Sequence, residues 1–514
     1  MVSRITGFFR DMVLANLLGA GAMADAFVVA FKLPNLFRSL FAEGAFTSAF
    51  VPLFSQKLVG EGRKKSIFFA AQAMAVLIVF ALSFVVVFEF LMPYVVQVLA
   101  PGFAGDASKT TLAVDLCRIT FPFLFFISIV SFQGGILNSF EKFAAPASAP
   151  IILNLTMIFS AFAFVSVMPT PAHGIALGIT LAGILEMLYL HRALRKIDVR
   201  IHPYVHISKI LHNPEIKTLF KRIAPGVVGA GIYQINMMVD TIIVSLVGTG
   251  AISWLYYANR LQQLPLGVVG AAISVALLPI LSKSLKAGNI DEAHATQNKA
   301  IEYGLLLSFP ASVLLIVLAE PIVSLLFRHG RFLDADARQT AYAVVAYSVG
   351  LPFYVMTKAM MPNFFARGDT VTPVKYSAVV FITNLGFNLI LMRYFGHVGI
   401  AVATTIAAFV SLAQYVFGLR FRGYWCFTLP LLKQMAKIVF ISILMGVVVK
   451  FGDYFLSSLF PFGKMFLMLR LAVLGIFALA IFLILAKMLS VINFHDVIKT
   501  MRSRHEQKEK ISAK

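Results

Sequence analysis

Four arginines, Arg4, Arg10, Arg38 and Arg260, fall inside apolar stretches, accompanied by Asp11, Asp25, Lys32 and Asp240. A charge at the centre of a lipid-facing helix costs about 2.5–3.5 kcal/mol on insertion scales, so such residues line a wet cavity or face a partner. The planar guanidinium pairs bidentately with phosphate and carboxylate. A surplus of cations over acids therefore points to an anionic visitor in a sequestered path.

The densest stretch runs Asp25-Ala-Phe-Val-Val-Ala-Phe-Lys32-Leu-Pro34-Asn35-Leu-Phe-Arg38 and continues through Glu43. Asp25 and Lys32, seven apart, share a helical face. Pro34 removes a backbone bond and predicts a hinge, with a freed carbonyl near which polar groups gather. The plain alternative is a set of ion pairs locking two helices, but the cations outnumber what Asp11, Asp25 and Glu43 neutralise. Further along stands Trp254-Leu-Tyr256-Tyr257-Ala-Asn259-Arg260-Leu-Gln262-Gln263. Trp254 reads as an interfacial belt residue, whereas Arg260 has no acid within a turn.

A smaller constellation comprises Asp240, Asn384, Asn388, Thr404 and Thr405. Oxygen donors with one carboxylate suit a hard monovalent cation, here a sodium ion. Hydrogen bonding between helices explains the same residue types. His173, His329 and His397 form no ligand set, and Cys117 and Cys426 suggest neither a disulfide frame nor a metal site. There is no P-loop, zinc signature or Asp-rich magnesium motif, so ATP hydrolysis and sugar-phosphate transfer have no support.

The elements that must position these residues are membrane-spanning. The chain is 59% hydrophobic and 13% charged, against about 25% charged in ordinary soluble domains, and its mean hydropathy is +0.86. The net charge of +21 does not signal nucleic acid. Lys and Arg concentrate in alternate loops, which is the positive-inside pattern and attracts anionic lipid. The opening segment carries Arg4, Arg10 and Asp11, which is unlike a cleavable signal peptide.

Turn and charge punctuation predicts an all-α polytopic membrane protein of about fourteen spans, the first at 2–18 and the last at 465–490. Both termini are then cytoplasmic. One outer loop, Arg328–Arg338, runs against the charge rule with three arginines, partly offset by Asp334 and Asp336. A repeat organises the first twelve spans. Asp11 with Gly19-Ala-Gly21-Ala22 recurs as Asp240 with Gly248-Thr-Gly250-Ala251 at an offset of 229 residues. Pro52 and Pro279, and Pro146 and Pro373, recur at 227. Six spans separate the copies, so the repeats are parallel, related by a pseudo-two-fold axis near the membrane normal with the cavity between them.

The predicted division is an N-lobe at 1–191, a basic cytoplasmic linker at 192–218, a C-lobe at 219–420, two extra helices at 421–490 and a basic tail at 491–514. Only ten residues precede Asp11 whereas some seventeen largely apolar ones precede Asp240, so either the first helix is short, near the lower limit of a span, or translation begins upstream of Met1, the reading preferred.

Several motifs together resemble the MurJ/MviN lipid II flippases of the MOP (multidrug/oligosaccharidyl-lipid/polysaccharide) exporter superfamily. They are Ser3-Arg4-x-x-Gly7-Phe-x-Arg10-Asp11, Asp25-Ala-Phe-x-Val-Ala-Phe-Lys32-Leu-Pro34-Asn35, Phe41-Ala-Glu43-Gly44-Ala-Phe46, Ala100-Pro-Gly-Phe103 and Tyr256-Tyr-Ala-x-Arg260-Leu. The resemblance implies transport of the undecaprenyl-pyrophosphate-linked peptidoglycan precursor, lipid II, from the inner to the outer leaflet of the bacterial cytoplasmic membrane. It also implies a monomer with no enzymatic step and no cofactor beyond a sodium ion. Arg4, Arg10, Arg38 and Arg260 then bind the head group, with Asp11, Asp25 and Glu43 as gating or positioning acids. Asp240, Asn384, Asn388 and Thr404 correspond to a sodium site, and the last two spans to a groove for the polyprenyl tail. Asn259 and Asn388 depart from the family in replacing acids. Membrane lipids and the cell-wall synthesis machinery are the remaining expected partners. A polysaccharide-unit flippase or multidrug exporter of the same superfamily stays open as an alternative, as does a polytopic enzyme acting on polyprenyl phosphates. The exporter of cations needs acids rather than arginines in its cavity, and the enzyme needs a metal-binding acid cluster or a catalytic base.

Overall fold

The computed structural model describes residues 2–40, 46–204, 213–459 and 463–491, and every regular element among them is helical. The first helices are α1 (Val2–Leu18), α2 (Ala22–Phe37), α3 (Thr47–Gly60), α4 (Arg63–Leu99), α5 (Ala107–Thr120), α6 (Phe123–Ser139), α7 (Ala144–Ala163) and α8 (Pro171–Arg195). There follow α9 (Pro214–Ser245), α10 (Ala251–Pro265), a π-helical turn (Leu266–Gly270), α11 (Ala271–Lys286), α12 (Ile290–Val317) and α13 (Ala319–Phe327). The chain continues through α14 (Asp334–Ala366), α15 (Val371–Phe421), α16 (Leu429–Leu459) and α17 (Lys464–Met488). Helix α15 is two helices meeting at Gly396, whose φ of 55° breaks the run. Ten segments are long and apolar enough to cross a membrane among the described residues.

Local chemistry sets the ends of these helices. Asn213 caps α9 by accepting from the Glu215 N–H at 2.9 Å, with Pro214 at the first position and Glu215 in the first turn. All three suit a helix start. Helix α8 begins at Pro171 and carries Arg192 and Arg195 in its last turn, against the negative end of its dipole.

Several marks of the repeat recur at its spacing. Helices α2 and α10 begin at Ala22 and Ala251, 229 residues apart, each after a glycine turn. Gly19 and Gly250 have φ of +71° and +93°, the left-handed region that side chains resist, and a Cβ on either would press on a backbone oxygen. Pro52 and Pro279 both lie inside helices. Residues 38–40 are π-helical, as are 266–270, close to the same spacing.

The chain forms two compact units, Met1–Tyr257 with Phe327–Ala337, and Ala258–Leu326 with Arg338–Lys514. In the first, α9 packs on α3 and α4, and α8 packs on α6 and α7. Phe37, Phe84, Phe88 and Phe121 join α2, α4 and the end of α5, with Phe84 and Phe88 stacked at 4.3 Å and Phe37 edge-on to Phe84 at 5.0 Å. These are favoured aromatic geometries. In the second, Ile301, Met360, Phe364, Tyr415 and Trp425 centre one apolar core. The pair α16 and α17 centres another around Met445, Val449, Leu474 and Ala478. Arg470 Nε donates to Asp453 Oδ1 across that pair at 2.8 Å.

Candidate functional site

Arg10 sits on the buried face of α1, with 4% of its surface exposed. Its Nη2 and Nε donate to Asp11 Oδ1 at 2.7 and 3.1 Å, and its Nη1 donates to Asn154 Oδ1 on α7 at 3.0 Å. The guanidinium lies 5.0 Å from the Phe31 ring centre, a favourable cation–aromatic distance. Tyr256 donates its hydroxyl to the same Asp11 oxygen at 2.9 Å. Asn154 also donates to the Ser3 carbonyl and Thr6 Oγ1 at 3.0 and 3.1 Å. Gly7 faces this amide and leaves room for it. Arg10, Asp11 and Tyr256 are thus one network, whereas Arg4 is exposed on the same helix.

On α2, Pro34 does what its chemistry predicts. It has no N–H for the Ala30 carbonyl, and Thr120 Oγ1 on α5 donates to that oxygen at 2.9 Å. Asn35 Nδ2 donates to the Phe31 carbonyl at 2.7 Å, and Arg38 Nε donates to Asn35 Oδ1 at 3.2 Å. Lys32 Nζ reaches Thr241 Oγ1 at 3.5 Å, and both Lys32 and Arg38 are half-buried. Arg38 lies in the π-helical turn, a geometry frequent at functional sites. Glu43 lies outside the described residues.

Asp25 is fully buried, and its partner is not Lys32. Its Oδ2 accepts from Lys109 Nζ at 2.8 Å and from the Gly250 N–H at 2.7 Å. Its Oδ1 accepts from the Ser253 N–H at 3.0 Å and Ser253 Oγ at 2.7 Å. The carboxylate therefore caps the start of α10, where unbonded N–H groups and the positive dipole end favour an anion. Neighbouring contacts bind the same loops. The Arg331 N–H donates to the Asn16 carbonyl at 3.0 Å, and Trp254 Nε1 donates to Asp336 Oδ1 at 3.1 Å. Trp254 is therefore a bonded residue of this cluster as well as an amphipathic one. The loop that breaks the charge rule is tied in by these bonds and by Arg328 pairing with Asp334 at 2.6 Å.

In the second unit, Arg260 is half-buried on α10, and Asn259, one residue before it, accepts from Gln263. Gln262 Nε2 donates to the Tyr347 carbonyl at 2.8 Å. Asn388 Nδ2 donates to Asn384 Oδ1 at 2.9 Å, and Asn384 Nδ2 approaches Thr404 Oγ1 at 3.5 Å. Thr405 donates to the Ala346 carbonyl instead, at 2.7 Å. Asn384, Asn388 and Thr404 therefore come together as neutral oxygen donors of the kind a hard cation takes. Asp240 lies half-buried on α9, in the first unit.

Lys109, Asn154, Thr120 and Ser253 belong to these networks and are not prominent in the sequence. Asn154 is the one carboxamide in the apolar run of α7, which is a readable signal. Nothing local in sequence marks Thr120 or Ser253, because their partners are a carbonyl and a carboxylate on distant helices.

The family model described as lipid II flippase MurJ matches residues 14–473. A probable lipid II flippase MurJ of Rickettsia prowazekii (strain Madrid E) is 35% identical over 503 residues, covering 97% of each chain. One of Rhizobium meliloti (strain 1021) is 38% identical over 448 residues, covering 86% of this chain and 83% of the relative. Among solved structures, a lipid II flippase MurJ in an inward closed conformation superposes with a TM-score of 0.80 at 27% identity, covering 96% of this chain and 98% of that one. An inward-facing multidrug resistance MATE family transporter of the MOP superfamily gives 0.65 at 15% identity, over 82% and 95%. That second likeness concerns the fold alone.

Proposed function

This chain belongs to the lipid II flippase MurJ family, and we propose that it carries lipid II from the inner to the outer leaflet of the bacterial cytoplasmic membrane by alternating access. It is a multi-pass membrane transporter serving peptidoglycan synthesis. The observation that carries the mechanism is the seat of Asp25. Its carboxylate is held by Lys109 and the start of α10, which suits a gating or positioning acid in an alternating-access cycle.

In this reading Arg38 and Arg260 hold the pyrophosphate and peptide carboxylates of the head group through charge-assisted bonds. Arg4 and Arg10 join them on α1. Arg10 does so only by exchanging its bonds to Asp11 and Asn154, which makes Asp11 a positioning acid. Asp25 and Glu43 act as gating or positioning acids, and Pro34 is the hinge of α2. The lobes of this reading are 1–191 and 219–420, a division that follows the repeat, although by packing residues 219–257 belong to the first compact unit. Helices α16 and α17 accommodate the polyprenyl tail. The termini face the cytoplasm, where the linker 192–218 and the tail 491–514 meet anionic lipid and the cell-wall synthesis machinery. One chain suffices as the transporting unit.

The sodium ion of this reading is assigned to Asp240, Asn384, Asn388 and Thr404 on residue type, one carboxylate and three neutral oxygen donors suiting a hard monovalent cation. When bound it would bias the conformational cycle by electrostatics alone. An Asp240→Asn protein should respond differently to sodium; an unchanged response removes this part of the scheme. The whole reading is tested in cells depleted of their own flippase and complemented with this chain. Outward appearance of lipid II should recover, and failure of a membrane-inserted protein to restore it refutes the assignment.

A further inference from the structure

The Ala100-Pro101-Gly102-Phe103 turn has no part in the scheme above, yet its geometry leads straight to Asp25. The Gly102 N–H donates to Ser245 Oγ at 3.2 Å. A Cβ on Gly102 would lie 1.9 Å from the Ser245 carbonyl oxygen, so only glycine lets the turn lie on the end of α9. Phe103 is buried, and its ring centre lies 4.2 Å from Lys109 Nζ. The Asp106 N–H donates to the Phe103 carbonyl at 2.9 Å, and Asp106 Oδ1 accepts from the Lys109 N–H at 3.0 Å. These contacts fix where α5 begins and aim Lys109 inward. Lys109 is 4% exposed, and its ammonium meets Asp25 Oδ2 at 2.8 Å and Thr249 Oγ1 at 3.5 Å.

We propose that Lys109 is a positioning residue of the transport cycle, held by the Ala100–Phe103 turn so that its ammonium keeps the Asp25 carboxylate seated on the start of α10. The physical reason is the charge balance. A fully buried carboxylate needs an opposite charge as well as hydrogen bonds, and removing one partner of such a pair leaves an uncompensated charge. The strength of this pair then sets how firmly the loops at 19–21, 100–106 and 246–250 stay together. That step rests on the alternating-access reading, because only there must these loops part. The sequence motif and the lysine six residues after it thus have one purpose, to deliver a cation to an acid on another helix.

The test uses a cysteine at Ala251, which is fully buried beside the Asp25 seat, in a full-length protein with Cys117 and Cys426 replaced by alanine. Its reaction with a maleimide is timed in lipid nanodiscs. This readout needs no lipid II, so it can fail while the flippase assignment stands, and the reverse. Lys109→Met should speed labelling by about tenfold or more, Lys109→Arg should keep it slow, and Asp25→Asn combined with Lys109→Met should bring it back towards the parent rate. Labelling of Lys109→Met at the parent rate overturns the proposal. So does a double variant that labels as fast as Lys109→Met, since a packing role predicts no rescue. Should Lys109→Met alone fail to fold, recovery of folding by Asp25→Asn supports the pair, and no recovery overturns it.

Discussion

Arg10 and Asn154, 144 positions apart, meet at 3.0 Å between Nη1 and Oδ1, and that bond ties α1 to α7. Asn154 faces the other way as well, donating to the Ser3 carbonyl and Thr6 Oγ1. One amide thus holds the helix that carries two of the four arginines. Replacing it with alanine leaves buried groups without partners, at a cost of about 1–3 kcal/mol. Asn154→Ala should lower the Tm of the purified protein, while Asn154→Asp, which keeps the acceptor for Arg10 and loses the donor, should fall between. Thermal unfolding in detergent decides it, and an unchanged Tm in the alanine variant refutes the tie.

The hinge at Pro34 makes a coupled prediction. Thr120 donates to the Ala30 carbonyl that Pro34 cannot serve, so Thr120→Val should cost about 1 kcal/mol in the parent. With Pro34→Ala the backbone N–H returns to that carbonyl, and the same threonine substitution should then cost much less. A double-mutant cycle of denaturation midpoints measures this coupling. Equal losses with and without Pro34 contradict it.

Asp369, between α14 and α15, gives a dependence on pH. Its carboxylate accepts from the Thr372 N–H at 2.9 Å and Thr372 Oγ1 at 2.7 Å, and it pairs with Arg422. The Thr372 bonds, and then Arg422, hold its pKa below the usual carboxylate range. A depressed carboxylate stabilises the fold above its unfolded pKa and loses that contribution as the pH falls through its folded value. Asp369→Asn should therefore lower the Tm at pH 7, with the gap to the parent closing only below about pH 4. A gap that stays unchanged well below that pH removes the charge argument.

The sequence was legible where one residue type has few physical uses. Pro34 announced both a bend and a freed carbonyl, although not that Thr120 would reach it. The glycine turns at 19–21 and 248–250 disclosed a repeat because left-handed backbone tolerates little else, and the structure keeps α2 and α10 in step with it. Asp25 was legible as an acid in the wrong solvent, but its pairing was not. Spacing along α2 put Lys32 on the same face, seven residues on, but named no partner, and the fold supplies Lys109 from 84 positions away. Helical periodicity reports only neighbours on one helix, and a partner on another helix depends on packing that no local pattern encodes. Thr120 and Ser253 were missed for the same reason. Trp254 looked like a belt residue because the belt needs only an amphipathic ring; its bond to Asp336 is set by a loop far along the chain.

The central claim is that the helix arginines exist to hold an anionic head group. In flippase-depleted cells complemented with this chain, the rate at which lipid II becomes accessible on the outer leaflet is measured for Arg38→Ala and Arg260→Ala, each verified as folded and inserted. Loss of a charged hydrogen-bonding partner is worth about 1.5–3 kcal/mol, so each should slow transport by at least about tenfold. Transport by both variants at the parent rate contradicts the account.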